Sequence, residues 1–196
     1  CQPGSELWTY PVSGRGTPVL SGKHVYVWGY LGEGADLQEV LLCLDANSGK
    51  LRWERRFSDF LSDIIYDRYS IGAPGIDPES GDVYLITSPG LFVCLSPDGK
   101  TVRWQRSLME TLGRLTFPNG RTGTVVFDHD LVIIHFIMSN WGAQGPAMDR
   151  FYAFDKKTGA PVWHGANGQR PKDNSISTPY LETRYGMRVF YAGTGD

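Results

Sequence analysis

The chain has 196 residues, of which 41% are hydrophobic and 20% are charged, and its formal net charge is −2. This composition is typical of a folded protein with a substantial core and argues against a disordered chain. Lys and Arg are scattered without a basic stripe, so nucleic acid is not a predicted partner. No transmembrane span is predicted, because the apolar run 131–138 falls far short of the roughly 20 residues that a span needs.

The first residue, Cys1, stands where a processed bacterial lipoprotein would begin, with a diacylated thiol as its lipid anchor. A cut inside a longer protein is the alternative interpretation. The other two cysteines, Cys43 and Cys94, occupy the same position of successive repeats. We expect both to be small buried residues, too far apart for a disulfide.

Four segments with alternating apolar residues predict β-hairpins, and in chain order they are 17–29, 73–87, 124–136 and 178–193. The hairpin turn of the third is Asp128-His129-Asp130. We interpret these residues as a turn rather than a metal site, because neighbouring strand residues point to opposite faces.

A second hairpin follows each of the first three. Its first strand covers 40–45, 90–96 or 150–155, and its turn contains Gly49, Gly99 or Gly159, which can adopt the positive φ of a tight turn. Its second strand runs into Trp53, Trp104 or Trp163, and Trp8 precedes Trp53 by a similar interval. Two hairpins make one unit of four antiparallel strands.

Sheets of four strands bury both faces when they are arranged radially, and this predicts an all-β fold, a β-propeller. The chain is predicted to form one propeller region over 1–196, with units at about 9–53, 54–104 and 105–163 and a partial unit at 164–196. We expect the rings and glycines of the closing hairpins to dock neighbouring blades, at Trp8, Trp53, Trp104, Trp163, Gly49, Gly99 and Gly159.

The segment Ala153-x-Asp155-x-x-Thr158-Gly159-x-x-x-Trp163 resembles the tryptophan-docking motif of the pyrroloquinoline-quinone-like β-propeller repeats. Residues 43–53 match it with Cys for Ala and Ser for Thr, and 94–104 is a degenerate copy. The resemblance covers nearly the whole chain. It implies a bacterial extracytoplasmic propeller, similar to an uncharacterised planctomycete-like group.

The family's propellers usually have seven or eight blades, whereas this chain predicts three full blades and part of a fourth. We therefore expect a fragment or open arc of a larger ring; pairing of open edges with another copy is the alternative. The family includes quinone-dependent dehydrogenases and the propeller lipoprotein of the outer-membrane barrel-assembly machinery.

No catalytic residue, metal site or cofactor is evident from the residues themselves. A quinoprotein would need a catalytic Asp, a Ca²⁺ site and a stacking surface for pyrroloquinoline quinone. The adjacent Cys pair that covers the quinone in the family's alcohol dehydrogenases does not occur here. Asp45 and Asp155 start turns, where a carboxylate accepts backbone N–H bonds, so we interpret both as turn formers.

Several loops are longer than is needed to connect the predicted strands, and we predict that these loops form the binding face. Their polar and aromatic candidates are Arg121, Asn140, Trp141, Gln144, Arg150, Lys172 and Asp173. Packing of these loops over blade edges is the alternative. Our leading hypothesis is a non-catalytic extracytoplasmic scaffold, in the periplasm or cell envelope, that binds a protein or a small ligand. The rivals are a quinone- and Ca²⁺-dependent oxidoreductase, completed by blades outside this chain, and an envelope-assembly lipoprotein anchored through Cys1.

Overall fold

The computed structural model describes residues 4–58, 70, 72–112, 124–138, 148–166 and 178–193. Most of these residues lie in strands. The first sheet contains β1 (Val19–Ser21), β2 (His24–Leu31), β3 (Gln38–Asp45) and β4 (Leu51–Ser58). The second contains β5 (Gly75–Ile76), β6 (Val83–Ile86), β7 (Leu91–Leu95) and β8 (Val102–Ser107). The third contains β9 (Val126–Asp128), β10 (Leu131–Met138), β11 (Met148–Asp155) and β12 (Pro161–Ala166).

A fourth sheet has two described strands, β13 (Tyr180–Arg184) and β14 (Met187–Tyr191). Each complete sheet pairs its strands antiparallel in chain order, as two successive hairpins dictate. The predicted all-β class, with three four-stranded sheets and a partial fourth, is confirmed. Two short helices that the sequence analysis did not predict are a 3₁₀ turn at Gly34–Asp36 and α1 at Leu108–Leu112.

One irregularity recurs in all three complete sheets. The register between the third and fourth strands shifts after Cys43, after Cys94 and after Ala153. Each of these small residues lies directly opposite the Trp of its own sheet, at Trp53, Trp104 or Trp163. A small side chain leaves room for the large ring on the neighbouring strand, which explains why this position is Cys in two sheets and Ala in the third.

The core lies between successive sheets, whose facing strands interleave apolar side chains. One buried cluster joins the first sheet to the second, through Tyr26, Trp28, Leu41 and Cys43 on one side and Val83, Leu85, Val93 and Leu95 on the other. The corresponding cluster of the second and third sheets includes Tyr84, Phe92, Cys94, Val132, Ile134, Tyr152 and Phe154. Cys43 and Cys94 are buried free thiols, as predicted. Sheets therefore stabilise one another face to face, and the other face of the first sheet packs against Trp8, Tyr10 and Val12.

Candidate functional site

Three tryptophans each lie against the glycine turn of the sheet that follows them in the chain. Trp8 lies on Gly49, Trp53 on Gly99 and Trp104 on Gly159. A Cβ built on these glycines would lie 2.5, 2.5 and 2.6 Å from the nearest ring atom, and their φ values are +67°, +69° and +67°. Each turn therefore requires its glycine for two reasons. Glycine adopts the left-handed backbone, and its lack of a Cβ allows the close approach of the ring.

The indole N–H groups also bind these turns. Trp8 Nε1 donates to the carbonyl of Ala46 at 3.0 Å, and Trp104 Nε1 donates to the carbonyl of Lys156 at 2.8 Å. The hydroxyl of Tyr84 donates to the same Lys156 carbonyl at 3.0 Å. A docked ring thus satisfies a turn carbonyl while burying apolar area.

The carboxylates of Asp45 and Asp155 organise two of the turns, as predicted. Asp155 Oδ1 accepts the hydroxyl and the backbone N–H of Thr158, at 2.7 and 2.8 Å. These bonds lower the pKa of Asp155. Arg52 and then Ser48 lower the pKa of Asp45 in the first sheet. The carboxylates of Asp45 and Asp155 therefore stabilise their turns in the ionised form.

The degenerate second copy builds its turn differently. Ser96 replaces the motif Asp, and its hydroxyl donates to Asp98 Oδ1 at 2.6 Å. The backbone N–H of Lys100 donates to the same carboxylate oxygen at 3.1 Å. Gly99 keeps its positive φ. The docking position therefore survives the sequence change, because a carboxylate two residues later takes over the capping role.

Trp163 differs from the other three docking tryptophans. It is 40% exposed in the described part of the chain. No glycine of a following turn lies against it among the described glycines. Its docking role stays a prediction.

A groove of about 350 Å³ opens beside this ring, and we call it the Trp163 groove. Its wall combines apolar side chains with one ion pair, and its residues are Asp128, Ile133, Phe151, Trp163, Gly165, Leu181, Arg188 and Phe190. The ion pair joins Arg188 Nε to Asp128 Oδ1 at 2.8 Å and holds β14 against the third sheet. The ring of Phe190 packs edge-on against Phe151, with centroids 4.6 Å apart.

Exposed apolar side chains are most numerous in the last described strands. Nine large ones are exposed among the described residues, and six of these lie between 162 and 191, namely Val162, Trp163, Tyr180, Tyr185, Met187 and Tyr191. We call these six residues the β12–β14 patch. Strand alternation places Tyr180, Met187 and Tyr191 on the face of β13 and β14 that is opposite to Leu181 and Phe190 of the groove.

A second cavity, of about 390 Å³, lies between the turns of the second and third sheets. At this cavity, the ammonium of Lys156 lies 3.2 Å from both carboxylate oxygens of Asp77 and 3.1 Å from Glu79 Oε2. Burial opposes the charge of Lys156, but the two carboxylates outweigh it and raise the pKa of the ammonium. Arg103 Nε faces Asp82 Oδ1 at 3.5 Å. Lys156 and Arg103 are therefore each already paired with at least one carboxylate of this cavity.

Burial also opposes the charge of Asp77. Bonds from the Ser80 hydroxyl, the Glu79 backbone N–H and Lys156 outweigh that effect and lower the pKa of Asp77. Since one partner belongs to the second sheet and the other to the third, this ion pair connects two blades.

The sequence analysis missed a buried carboxylate at the opposite end of the sheets. Glu39 is fully buried and accepts from Ser88 Oγ at 2.6 Å, Ser88 N at 2.8 Å, Ser70 Oγ at 3.0 Å and Ser70 N at 3.1 Å. The Ser70 hydroxyl is also 2.8 Å from the carbonyl of Gly29. Glu39 thus joins the first sheet to the β6–β7 turn. Its only signal in the sequence is an acidic residue next to an unbroken apolar run.

Most predicted binding-loop residues lie outside the described part of the chain. They are Arg121, Asn140, Trp141, Gln144, Lys172 and Asp173, and Cys1 also lies outside it. Arg150 is described: it is half-buried in β11, where its backbone is in register with Phe136 and Ala166. The predicted binding face therefore stays a prediction.

The residues that the structure describes do not fit a calcium and quinone site. No group of three or more His, Cys, Asp or Glu side chains among them can hold a metal ion. Asp77 and Glu79 are a neighbouring carboxylate pair, but they already hold the ammonium of Lys156. Asp128 binds Arg188, and His129 of the same turn is exposed. Within the described ranges, no helix has the length and apolar character to cross a membrane.

The profile of the protein family described as outer membrane protein assembly factor BamB matches residues 2–73. No curated protein sequence matches the chain. Among solved structures, a europium-containing methanol dehydrogenase is 18% identical, with a TM-score of 0.60 over 84% of this chain and 27% of its own. BamB from Moraxella catarrhalis is 21% identical, with a TM-score of 0.58 over 93% of this chain and 46% of its own.

A quinohemoprotein alcohol dehydrogenase from Comamonas testosteroni is 21% identical, with a TM-score of 0.50 over 81% of this chain and 21% of its own. The chain thus spans less than half the length of each of these structures. At these identities the likeness shows the fold alone. Together with the family profile and the three repeated sheets, it confirms that the sheets are blades of a β-propeller.

Proposed function

We propose that this chain, a β-propeller repeat protein, is a non-catalytic binding module that engages a protein partner. The observation that carries the proposal is the apolar surface of its last described strands. Six large apolar side chains are exposed in the β12–β14 patch, and the Trp163 groove is lined mainly by apolar side chains. An exposed apolar surface of this extent suits a polypeptide partner.

A protein suits this chain better than a small polar ligand does. The other cavity has charged walls, but Lys156 is bound by Asp77 and Glu79, and Arg103 faces Asp82. A charged ligand would have to break these pairs in order to bind. An apolar segment could occupy the Trp163 groove without breaking an ion pair, because most of the lining is apolar. The single ion pair of the groove joins two elements of the protein.

The family profile supports the same proposal, because its description names an assembly factor of outer membrane proteins. A location outside the cytoplasm, in the periplasm or cell envelope, is part of the proposal. So is a lipid on Cys1, which an intact-mass measurement of the protein from its native cells tests. A diacylglyceryl mass supports the anchored form, and a free amine with a free thiol rules it out.

The rival function is redox catalysis with pyrroloquinoline quinone and Ca²⁺. Titration of the chain with both, followed by the absorbance of the quinone, separates the two functions. We expect no stoichiometric uptake. Stoichiometric uptake together with dye-linked oxidation of an alcohol would overturn the non-catalytic proposal.

Photo-crosslinking in the native cells tests the binding function directly. A photoreactive amino acid replaces Tyr185, which is exposed in the turn between β13 and β14, and the control variant carries it at Lys100, an exposed turn residue of the second sheet. We expect one defined protein adduct from position 185 that position 100 does not give. Adducts of equal yield from both positions, or none from position 185, would contradict the proposal.

A further inference from the structure

The glycine turn of the second sheet contains a dipeptide that the other two glycine turns lack. Asp98 directly precedes Gly99, whereas a Ser or a Thr precedes the glycine in the first and third sheets. Asp98 is also the only aspartate of the sequence that is followed by glycine. A glycine has no side chain that could shield its backbone nitrogen. The carboxyl group of Asp98 therefore has the least hindered nitrogen next to it of all the aspartates in this chain.

Ring closure at this dipeptide is a reaction of the chain with itself. The backbone nitrogen of Gly99 attacks Cγ of Asp98 and forms an N–Cγ bond. The C–O bond of the neutral carboxyl group breaks, and its hydroxyl leaves as water with the proton of the attacking nitrogen. Water then opens the resulting succinimide ring. Opening at the α-carbonyl leaves the chain linked through Cγ, as isoaspartate, and the two steps need no oxidant, reductant or other reactant.

Hydrogen bonds in the folded turn hold both reacting groups away from this reaction. Oδ1 of Asp98 accepts the Ser96 hydroxyl at 2.6 Å and the Lys100 N–H at 3.1 Å. The N–H of Gly99 donates to the Ser96 carbonyl at 2.8 Å. The Ser96 hydroxyl is itself fixed, because its oxygen accepts the Thr101 N–H at 3.0 Å. The attacking nitrogen and the carboxylate are therefore each bound to another partner.

The bonds to the carboxylate also keep it in its unreactive form. The Ser96 hydroxyl and then the Lys100 N–H lower the pKa of Asp98. An ionised carboxylate has no hydroxyl to lose, and its negative charge repels the lone pair of the attacking nitrogen. Ser96 is only 6% exposed, so its hydroxyl is sheltered from competing water. The serine that replaces the motif aspartate thus protects the dipeptide as well as shaping the turn.

Isoaspartate at this position would alter the contact between the first and second sheets. It adds one methylene to the main chain, which displaces the next residue by about 1.5 Å. Gly99 has a φ of +69°, and a Cβ built on it would lie 2.5 Å from the ring of Trp53. The ring and the turn are therefore too close to accommodate such a displacement, and the turn must move away from the ring.

We infer that Asp98–Gly99 is a site of isoaspartate formation, that Ser96 suppresses the reaction while the chain is folded, and that conversion releases the second sheet's turn from Trp53. The inference is independent of the proposed binding function, because this turn belongs neither to the Trp163 groove nor to the β12–β14 patch.

Peptide mapping of the wild-type chain measures the reaction. The protein is kept in mildly acidic buffer, either native or unfolded in urea, and is digested after successive intervals. The two forms of the fragment with Asp98 have equal mass, so they are separated by chromatography and identified by electron-transfer fragmentation. Asn119–Gly120 and Asn167–Gly168 also form succinimides, but their deamidation changes the fragment mass. We expect Asp98 to convert several-fold more slowly in the native protein than in urea.

Variants of the protein test the role of the serine hydroxyl. Ser96→Ala removes it, and we expect conversion of Asp98 in the native variant to be several-fold faster than in the wild type. Ser48→Ala is the matched control, because its hydroxyl likewise donates to a turn aspartate, Asp45 Oδ1 at 2.9 Å, which no glycine follows. This variant should convert Asp98 at the wild-type rate. Ser96→Thr keeps the hydroxyl and should also match the wild type.

Equal conversion of Asp98 in the native and unfolded wild type would overturn the inference, and this comparison does not depend on the folding of any variant. Equal rates in Ser96→Ala and Ser48→Ala would overturn the role of the serine. Hydrogen–deuterium exchange of the converted protein tests the release from Trp53. We expect faster amide exchange in 96–101 than in the unconverted protein, with no change in 45–50. Unchanged exchange in 96–101 would show that the ring stays in place and would contradict the release.

Discussion

Gly159→Ala tests the contact that joins one blade to the next. At a φ of +67°, an alanine costs roughly 1–2 kcal/mol in backbone strain. The added Cβ would lie 2.6 Å from Trp104 Cδ2 and Cε3, so the ring must retreat by about 1 Å and loses up to half of its contact energy. Since removal of a buried Trp costs about 3–5 kcal/mol, this loss adds roughly 1–2 kcal/mol.

We therefore expect Gly159→Ala to lower the free energy of unfolding by roughly 2–4 kcal/mol. Gly22→Ala is the matched control. Its φ is +57° and no atom lies within 4 Å of the built Cβ, so only the backbone strain of about 1–2 kcal/mol applies. Urea unfolding followed by circular dichroism measures both variants.

A double-mutant cycle with Trp104→Ala isolates the contact with the ring. Without the ring, Gly159→Ala is expected to cost only the backbone strain, which gives a coupling of about 1–2 kcal/mol. Strictly additive effects, or equal costs for the Gly159 and Gly22 variants, would refute the account of ring-on-glycine docking.

Other contacts give further expectations. Lys156→Met removes the only cation beside Asp77 among the described residues, and we expect a loss of roughly 2–3 kcal/mol in urea unfolding, partly recovered when Asp77→Asn is added. Glu39→Ala removes the acceptor of four buried hydrogen bonds, although the Ser70 hydroxyl keeps the Gly29 carbonyl as a partner, and it is expected to cost at least about 3 kcal/mol, whereas Glu39→Gln, which keeps an acceptor, costs less. The folded state lowers the pKa of Asp155 below the ordinary aspartate value of 3.8, so its contribution to stability is present above that pH and declines as the pH falls through the lower folded pKa; Asp155→Asn should flatten stability in that acidic range. Burial raises the pKa of Cys94 to about 11, so iodoacetamide at pH 8 should label Cys94 only after unfolding, and rapid labelling of the native protein would contradict its buried position.

The sequence predicts the blades well because their requirements are local. Strand alternation, the turn glycines and the small residue opposite each Trp recur within short segments, and each has one physical explanation. The positive φ of Gly49, Gly99 and Gly159 follows from the turn that they occupy. The same local argument identified the turn role of Asp155.

Long-range contacts could not be predicted in this way. The repeat suggests that Trp163 behaves like Trp104, but its exposure depends on what lies in the next third-strand position, which is a property of packing. The ion pair of Lys156 with Asp77 spans 79 positions in the chain, and nothing in either segment indicates the other. Glu39 depends in the same way on Ser70 and Ser88, in other parts of the chain.

Hydrogen–deuterium exchange of the wild-type chain and of the Trp104→Ala variant tests most directly the claim that a docked ring joins one sheet to the next. The ring of Trp104 lies on Gly159 and its indole N–H bonds to the Lys156 carbonyl, so the account predicts faster amide exchange in the turn 155–160 of the variant and no change in the turn 45–50, on which Trp8 lies. Unchanged exchange in 155–160, or equal acceleration in both turns, would contradict it.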